Sequence, residues 1–352
     1  MKLSDFDYDL PERFIAQTPA NPRDHSRLLI YDRATGKTDI KHFYDIVDYL
    51  QSGDVVVINT TRVMQARLHG TKDNSATKFE VLLLKTPASL REAPPLLKGD
   101  LRNYKYEVLV KPMKRLKPGD KVIFAGGVVG ELLSKDEVAG TAVMRFNKCP
   151  EVAGKAPLPP YITVSDNDPE RYQTVYAGMA GSAAAPTAGL HWTPELMQKA
   201  RDKGVIFCEI LLHVGIGTFR PVKCEDIRDH EMHSEYYEIP PASAKIIADA
   251  KAQGRRVIAV GTTTVRTLES VYIKHGKIVA DCGETNIFIY PPYDFRVVDA
   301  MITNFHLPKS SLLMLVTAFL GGGKHIEVLE LYETAKQNDF RFFSFGDAMF
   351  LC

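Results

Sequence analysis

The feature that most constrains the fold is a change of hydrophobic pattern near residue 61, which reverses near residue 150. Before residue 61, helical and strand patterns alternate, as in FYDIVDYL followed by DVVVINT. Between residues 61 and 150, six β-like runs follow one another, separated by Gly, Pro and charged turns. Beyond residue 150 the alternation returns. A block of one pattern enclosed by another is typical of an inserted domain.

We therefore predict the α/β class, with a discontinuous α/β domain at residues 1–60 and 151–352. An all-β, barrel-like domain of six strands is predicted as an insertion at residues 61–150. A chain of 352 residues is long enough for two such domains. After the insertion, helices are predicted at TPELMQKARDKG, PASAKIIADAKAQG and TTVRTLESVYIKHG, and strands at VIFCEILLHV, RRVIAV, NIFIYP and DAMITNF.

Composition and end segments indicate a cytoplasmic protein without membrane contact. The start MKLSDFDYDLPERFIAQ lacks the basic and apolar regions of a secretory signal. The longest apolar run, at residues 310–322, is too short to span a bilayer and predicts a core helix. The five cysteines are widely spaced and odd in number, which argues against a disulfide framework or a thiolate zinc site.

The net charge of +1 excludes binding of nucleic acid by the field of the whole molecule. A local basic surface remains possible in NYKYEVLVKPMKRLKPGDKVIF, where six basic residues outnumber two acidic ones. A solvated loop between two strands is the alternative. The residues that we expect to contact RNA are Lys111, Lys114, Arg115 and Lys117.

The stretch RRVIAVGTTTVRTLES predicts a buried strand that runs into a helix. The free backbone N–H groups and the positive dipole end at the start of such a helix favour an anion. Gly261, Thr262 and Thr263 would surround it, but neither a GxGxxG nor a Walker pattern is present. The alternative is a threonine cap on an ordinary strand-to-helix turn.

Two further stretches place glycine, histidine and tryptophan at element ends. In LLHVGIGTFRPV, His213 follows an apolar strand, and Gly215, Gly217 and Thr218 suggest close approach to a ligand, or else a β-bulge. In PTAGLHWTPEL, Trp192 next to His191 suggests a slot for a purine ring, or else core packing.

The remaining polar clusters lie at residues 229–239 and 301–316. In DHEMHSEYYEI, His230 and His233 are three residues apart and could share a metal ion, but a catalytic zinc site needs a third fixed ligand. We therefore expect these histidines and Glu235 to lie in a polar loop without a metal. In MITNFHLPKSSLLMLV, Asn304 and His306 end a strand, where α/β sheets bind ligands.

Taken together, these blocks resemble a known enzyme family. INTTRVMQARLHG, PTAGLHWTPEL, LHVGIGTFRPV, DHEMHSEYYEI, VGTTTVRTLES, GETNIFIYPPYDFRVVDAMITNFHLPKSSLLMLVTAF and FRFFSFGDAMFL are similar, in this order, to the signature blocks of the S-adenosylmethionine:tRNA ribosyltransferase-isomerases. The resemblance extends from the start of the chain to its end.

The resemblance implies transfer of the ribosyl portion of S-adenosylmethionine to 7-aminomethyl-7-deazaguanine at the wobble position of tRNA, with release of adenine and methionine. S-adenosylmethionine is then a consumed substrate, and no cofactor or metal is implied. The resemblance also implies an α/β domain with an inserted β-barrel. The long loop at residues 85–106 departs from a minimal barrel.

Physical reasoning assigns roles within this reaction. His191, His213 and His306 are the candidates for general base or acid. Residues 261–264 with Arg266 would hold the methionine carboxylate. We expect a set of substrate-binding residues comprising Trp192, Gly215, Gly217, Thr218, His230, His233, Glu235, Gly261, Thr262, Thr263, Arg266 and Asn304.

Two rival functions belong to other classes. A conventional RNA methyltransferase needs a glycine-rich loop after its first strand, and DVVVINTTR offers none. A non-catalytic RNA-binding protein explains the basic stretch but not the His, Thr and Gly residues at strand ends. We expect a monomer whose partners are S-adenosylmethionine and the modified tRNA.

Overall fold

A computed structural model describes residues 1–73, 75–84, 104–137, 140–155, 158–159, 161–164, 168–215, 222, 224–321 and 325–352. The chain forms two compact units. The first contains Met1–Arg62, Pro159–Met179 and Ala185–Cys352, and the second contains Val63–Leu158 and Ala180–Ala184.

The first unit is built on a mixed sheet of nine strands. These are β1 (Arg27–Tyr31), β2 (Thr38–His42), β3 (Val55–Asn59), β13 (Ile206–Leu212), β14 (Glu235–Ile239), β15 (Val257–Val260), β16 (Asp281–Thr285), β17 (Ala300–Asn304) and β18 (Ala348–Leu351). Their order is β16-β14-β13-β3-β15-β17-β18-β1-β2. The four central strands β13, β3, β15 and β17 are parallel to one another.

The helices of this unit present buried apolar residues to the sheet or to one another. They are α1 (Ile46–Tyr49), α2 (Pro194–Asp202), α3 (Pro241–Ala252), α4 (Thr262–His275), α5 (Ser311–Leu320) and α6 (His325–Gln337). In α4 the buried residues Val265, Leu268 and Val271 recur at helical spacing. Thr193 and Ser310 cap α2 and α5, since each hydroxyl accepts a hydrogen bond from the backbone N–H three residues on.

The second unit contains a closed antiparallel barrel. Its strands are β5 (Arg67–Lys72), β6 (Lys78–Leu83), β7 (Tyr104–Lys111), β8 (Lys121–Phe124), β9 (Val129–Asp136) and β10 (Thr141–Phe146), paired in the order β5-β6-β7-β10-β9-β8 and closed by β5 with β8. A short strand, β11 (Gly154–Lys155), pairs with β5, and β4 (Thr61–Val63) and β12 (Met179–Ser182) form a separate two-stranded sheet.

Alternation along the barrel strands explains its core. Tyr106, Val108 and Val110 of β7 point inward, while the residues between them are more exposed. At the closing seam, a Cβ on Gly70 would lie 2.5 Å from the carbonyl oxygen of Ile123, so only glycine permits this approach. The six strands confirm the barrel predicted from six β-like runs.

Two elements differ from the sequence prediction. NIFIYP, predicted as a strand, has no regular structure, and it ends at two prolines that cannot donate to a ladder. The polar loop predicted at residues 229–239 instead contains β14, with Glu235, Tyr237 and Ile239 buried in alternation. The pattern was hidden because a glutamate occupies an inward position.

Candidate functional site

The carboxyl ends of four parallel strands meet at one edge of the sheet. The strands β13, β3, β15 and β17 end at Leu212, Asn59, Val260 and Asn304. Ligands of open α/β sheets bind at this edge. Most of the polar residues that the sequence analysis singled out in the α/β part follow these strand ends.

Asn59 connects three of the four strand ends. Its side-chain amide donates to the carbonyl of Leu212 at 2.9 Å and to the hydroxyl of Thr263 at 3.3 Å. The oxygen of the same side chain, Oδ1, accepts from the backbone N–H of Leu212 at 3.0 Å and from that of Thr61 at 3.1 Å. With all these bonds made in the buried interior, Asn59 fixes the relative positions of the loops.

His213 follows β13 directly. Its Nδ1 lies 2.8 Å from the hydroxyl of Thr61, and its ring stacks on Tyr236 with centroids 5.9 Å apart. Among the residues that the structure describes, none forms a hydrogen bond with its Nε2. Burial lowers the pKa of His213 to about 4, so the ring is neutral at pH 7.

His191 is buried and uses both ring nitrogens. Nδ1 lies 2.7 Å from the hydroxyl of Ser26, and Nε2 lies 3.3 Å from the side-chain oxygen of Asn304. The Asn304 amide in turn donates to the carbonyl of Phe343 at 2.9 Å. Burial lowers the pKa of His191 to about 4, although the bond to Asn304 opposes the shift. This ring therefore holds Asn304 in place.

His306 is also buried. Its Nε2 lies 2.9 Å from the hydroxyl of Thr303, and its backbone N–H donates to the hydroxyl of Tyr332 at 3.1 Å. Burial lowers the pKa of His306 to about 3. All three candidate histidines are thus neutral at physiological pH, and His213 is the most exposed of them.

The turn between β15 and α4 is strained in a way that requires glycine. Gly261 has φ 88° and ψ 154°, a conformation that is essentially restricted to glycine. The N–H groups of Thr264 and Val265 bond back to the Gly261 carbonyl. In the described chain, the N–H groups of Thr262 and Thr263 have no acceptor. Two donors therefore remain available at the positive end of a helix of 14 residues.

Arg266 forms a buried ion pair with Glu235. The same carboxylate accepts the N–H of Gly215 at 2.8 Å, and Arg266 also donates to the carbonyl of Ile287 at 3.3 Å. The charge of Arg266 is therefore already balanced inside the protein. The ion pair anchors the segment after His213 to α4. The Nη2 of Arg266 has no acceptor among the described residues, and its predicted contact with a bound carboxylate stays a prediction.

Trp192 has no exposed surface and lies in the hydrophobic core. Its ring meets Phe43 and Phe207 edge to face, with centroids 5.2 and 5.3 Å away. This placement favours the core-packing alternative over a purine slot. The indole instead supports the loop that carries His191.

His230 and His233 lie in the segment before β14. The ring of His230 is edge-on to Phe288 at 5.3 Å, and its pKa is lowered by burial and then by His233. In the ranges given above, no group of three or more His, Cys, Asp or Glu residues is arranged to hold a metal ion. The same ranges contain no helix long and apolar enough to cross a membrane.

Comparison with known proteins identifies the family. A family model described as queuosine biosynthesis protein matches residues 3–351. The chain belongs to the queuosine biosynthesis protein family. A curated relative from Finegoldia magna, named S-adenosylmethionine:tRNA ribosyltransferase-isomerase, is 50% identical over 358 residues, which cover 100% of this chain and 98% of the relative. A Staphylococcus aureus relative of the same name is 48% identical, with both chains fully covered.

A solved structure supports the same assignment. The crystal structure of S-adenosylmethionine tRNA ribosyltransferase from Thermotoga maritima matches 99% of this chain and 100% of its own, with 34% identity and a TM-score of 0.56. Membership of the queuosine biosynthesis family therefore applies to the whole chain and includes both units.

The four basic residues that we predicted to contact RNA lie on the barrel unit. Lys111 ends β7, Lys114 and Arg115 lie in the turn Met113–Arg115, and Lys117 follows it. All four side chains are exposed, and within the described chain none forms an ion pair. Gly217 and Thr218 of the predicted set, and most of the loop at residues 85–106, lie outside the described residues.

Sequence reasoning missed Asn59, Thr61 and Ser26, which the structure places beside the candidate site residues. A usable signal existed for the first two, because INTT places polar side chains directly after the apolar run of β3. Ser26 carries no such signal. It contacts His191 across 165 positions of sequence, which only the folded chain brings together.

Proposed function

We propose that this protein transfers the ribosyl portion of S-adenosylmethionine to 7-aminomethyl-7-deazaguanine at the wobble position of tRNA. The ribosyl group is isomerised to give epoxyqueuosine, and adenine and methionine leave. The observation that carries the proposal is the position of a neutral His213 at the strand edge that also bears the first N–H groups of α4. Among the described residues, neither the Nε2 of His213 nor these N–H groups have a hydrogen-bond partner. Family membership over the full chain supports the same reaction.

His213 is the general base in this proposal. The sulfonium of S-adenosylmethionine acidifies the protons on the adjacent 5′ carbon, so a neutral imidazole can remove one. The hydroxyl of Thr61, at 2.8 Å from Nδ1, orients the ring and leaves Nε2 for the substrate. Its lowered pKa keeps the lone pair free at physiological pH, at some cost in intrinsic basicity.

His191 and His306 act as positioning residues rather than as proton donors. A pKa near 4 or 3 leaves almost none of either ring protonated at pH 7. His191 holds Asn304, and His306 bonds to Thr303. Both therefore shape the edge of β17 next to the loop of Gly261.

The methionine carboxylate binds at the start of α4. The N–H groups of Thr262 and Thr263 donate to it, and the helix dipole adds a favourable interaction. The hydroxyl of Thr263 is held by Asn59, which positions the first turn. No charge from Arg266 is required, because Glu235 neutralises it.

The other partners follow from the reaction. The exposed basic residues Lys111, Lys114, Arg115 and Lys117 bind the phosphate backbone of the tRNA. S-adenosylmethionine is consumed, and no cofactor or metal takes part. The protein works as a monomer in the cytoplasm, where its five free thiols stay reduced.

Product analysis tests the proposed reaction. The protein is incubated with S-adenosylmethionine and tRNA that carries 7-aminomethyl-7-deazaguanine, and the small products are separated by chromatography. We expect adenine and methionine in equal amounts, both dependent on the tRNA. S-adenosylhomocysteine would indicate a methyltransferase, and unchanged S-adenosylmethionine would indicate a binding protein; either result would refute the proposal.

A further inference from the structure

A cavity in the α/β unit brings two guanidinium groups together next to the proposed site. Arg23, Arg171 and His191 line it, together with Leu190, Ser344 and Phe345. His191 connects the cavity to Asn304 at the carboxyl end of β17. The proposed reaction assigns no role to either arginine.

Both arginines are held in place by uncharged oxygen atoms. Arg23 donates to the carbonyls of Gln173 at 2.8 Å, Glu170 at 2.9 Å and Leu190 at 3.4 Å. Arg171 donates to the side-chain oxygen of Asn21 at 3.2 Å and to the carbonyl of Ala20. These bonds fix the two groups but do not neutralise them.

The positive charge in the cavity is only partly balanced. In the part of the chain that the structure describes, neither arginine forms an ion pair, and the buried Nε of Arg171 has no acceptor. Burial and then Arg171 lower the pKa of Arg23, while Asp168 and Glu170 act more weakly in the opposite sense. Glu170 is itself paired with Arg62. Two rigid guanidinium groups without a carboxylate partner favour an external anion with several oxygens, such as phosphate.

An exposed stack of rings lies on the same unit as this cavity. His42 lies parallel to Tyr44 with centroids 5.1 Å apart, and His25 meets Tyr44 edge to face at 5.2 Å. Tyr44 is 39% exposed, and both histidines are exposed as well. Such rings offer a surface on which an unpaired base can stack.

Short contacts connect the ring stack to the cavity. His25 and Tyr44 are the chain neighbours of Ser26 and Phe43, which are joined by a backbone hydrogen bond of 2.8 Å. Ser26 bonds to His191, and the ring of Phe43 lies 5.1 Å from it. A site for an anion and a surface for a base are therefore connected on one unit through Ser26, Phe43 and His191.

We infer that this surface binds a single-stranded segment of the tRNA substrate, with a phosphodiester against the guanidinium groups of Arg23 and Arg171 and a neighbouring base on Tyr44. A free carboxylate would use the cavity alone, whereas a nucleotide uses both features. The inference rests on the proposed function, because it assumes that tRNA is the substrate. It adds a binding surface on the α/β unit to the basic residues of the barrel.

Binding measurements on the full-length protein test both halves of this surface. The affinity for the tRNA is measured between about 50 and 200 mM KCl for wild type and for Arg171→Gln, Arg171→Lys, Tyr44→Ala and Tyr44→Phe. Arg171→Gln should weaken binding about tenfold and reduce the salt slope by about 0.7, while Arg171→Lys should keep most of the slope. Tyr44→Ala should weaken binding on the order of tenfold, and Tyr44→Phe should bind nearly as wild type does.

A matched control removes one positive charge elsewhere on the same unit. Arg296 is exposed and precedes β17 at its amino end, so Arg296→Gln should bind tRNA as wild type does. Binding of S-adenosylmethionine by each variant shows whether the fold is intact, and it should not change. An unchanged tRNA affinity in either folded variant, Arg171→Gln or Tyr44→Ala, overturns the inference.

The assay of adenine release separates this inference from the proposed function. If wild type releases adenine while Arg171→Gln and Tyr44→Ala bind tRNA normally, only the inference fails. If wild type releases no adenine, the proposed function fails, whatever the variants bind.

Discussion

At the scale of single residues, the three candidate histidines differ in what their ring nitrogens contact. His191 uses both nitrogens on protein groups, and His306 is buried against Thr303. Only His213 combines an orienting hydroxyl with partial exposure. The sequence alone could not distinguish which of the three histidines is the general base, because hydrogen-bond partners such as Ser26 and Thr61 are set by tertiary structure.

Replacing His213 tests its assignment as general base. Asparagine can keep the bond to Thr61 through a side-chain atom near the position of Nδ1, but it lacks a basic nitrogen at the position of Nε2. We expect His213→Asn to lower kcat by about a hundredfold or more, with little change in KM for S-adenosylmethionine. His69→Asn, on the barrel unit with a side chain 62% exposed, is the control and should keep full activity. Near wild-type turnover in His213→Asn would exclude this base.

The buried histidines also predict how stability depends on pH. The pKa of His306 is about 3 in the folded protein and 6.5 in an exposed chain, so the unfolded state binds the extra proton first. The contribution of His306 to the free energy of unfolding is therefore fully present above pH 6.5. It is lost as the pH falls toward 3, by up to about 1.4 kcal/mol per pH unit. Denaturant titrations between pH 7 and 4 should show a shallower pH dependence for His306→Gln. An equal slope in both proteins would contradict the assignment.

At the scale of secondary-structure elements, the first turn of α4 carries the proposed carboxylate site. Gly261 has a positive φ that side chains rarely adopt, so Gly261→Val should nearly abolish binding of S-adenosylmethionine. Thr263→Ala should weaken it modestly, about tenfold, because the backbone donors remain. Calorimetric titrations measure both.

An analogue without the methionine carboxylate serves as the control for this turn. If the carboxylate meets the turn, the penalties from losing the carboxylate and losing the Thr263 hydroxyl should be non-additive. Fully additive penalties would show that they do not meet, and Thr263 would be left with its structural bond to Asn59.

The turn between β7 and β8 makes a second prediction at this scale. Replacing Lys111, Lys114, Arg115 and Lys117 together with Ala should raise KM for tRNA and reduce the salt slope by about 3, if each meets a phosphate. Binding of S-adenosylmethionine should stay unchanged. Lys78→Ala, an exposed lysine on β6, is the control for the loss of one barrel charge. An unchanged slope in the fourfold variant would assign the cluster to a solvated loop.

The elements that the sequence misassigned share a physical cause. The pattern of β14 was obscured by Glu235, whose inward position is tolerated because Arg266 pairs with it. NIFIYP has the composition of a strand, yet the prolines that follow remove backbone donors. Local composition shows neither the distant partner nor the pairing of strands.

At the scale of the whole molecule, the fold class and the inserted barrel could both be predicted from the sequence. Helical and strand periods differ enough that an all-β block inside an α/β pattern can be recognised without a structure. The strand order of the sheet could not be predicted, because it depends on pairings between distant segments such as β1 with β18. That order is what brings His213, Asn59, Gly261 and Asn304 to one edge.

The central claim is that the ribosyl group, and not the methyl group, of S-adenosylmethionine is transferred to tRNA. The most direct measurement uses S-adenosylmethionine with carbon-13 in the ribose and deuterium in the methyl group, followed by mass spectrometry of the nucleosides from the tRNA. We predict that the modified base gains the carbon-13 label and no deuterium, while the deuterium leaves with methionine. Deuterium in the tRNA, or the absence of both labels, would contradict the account.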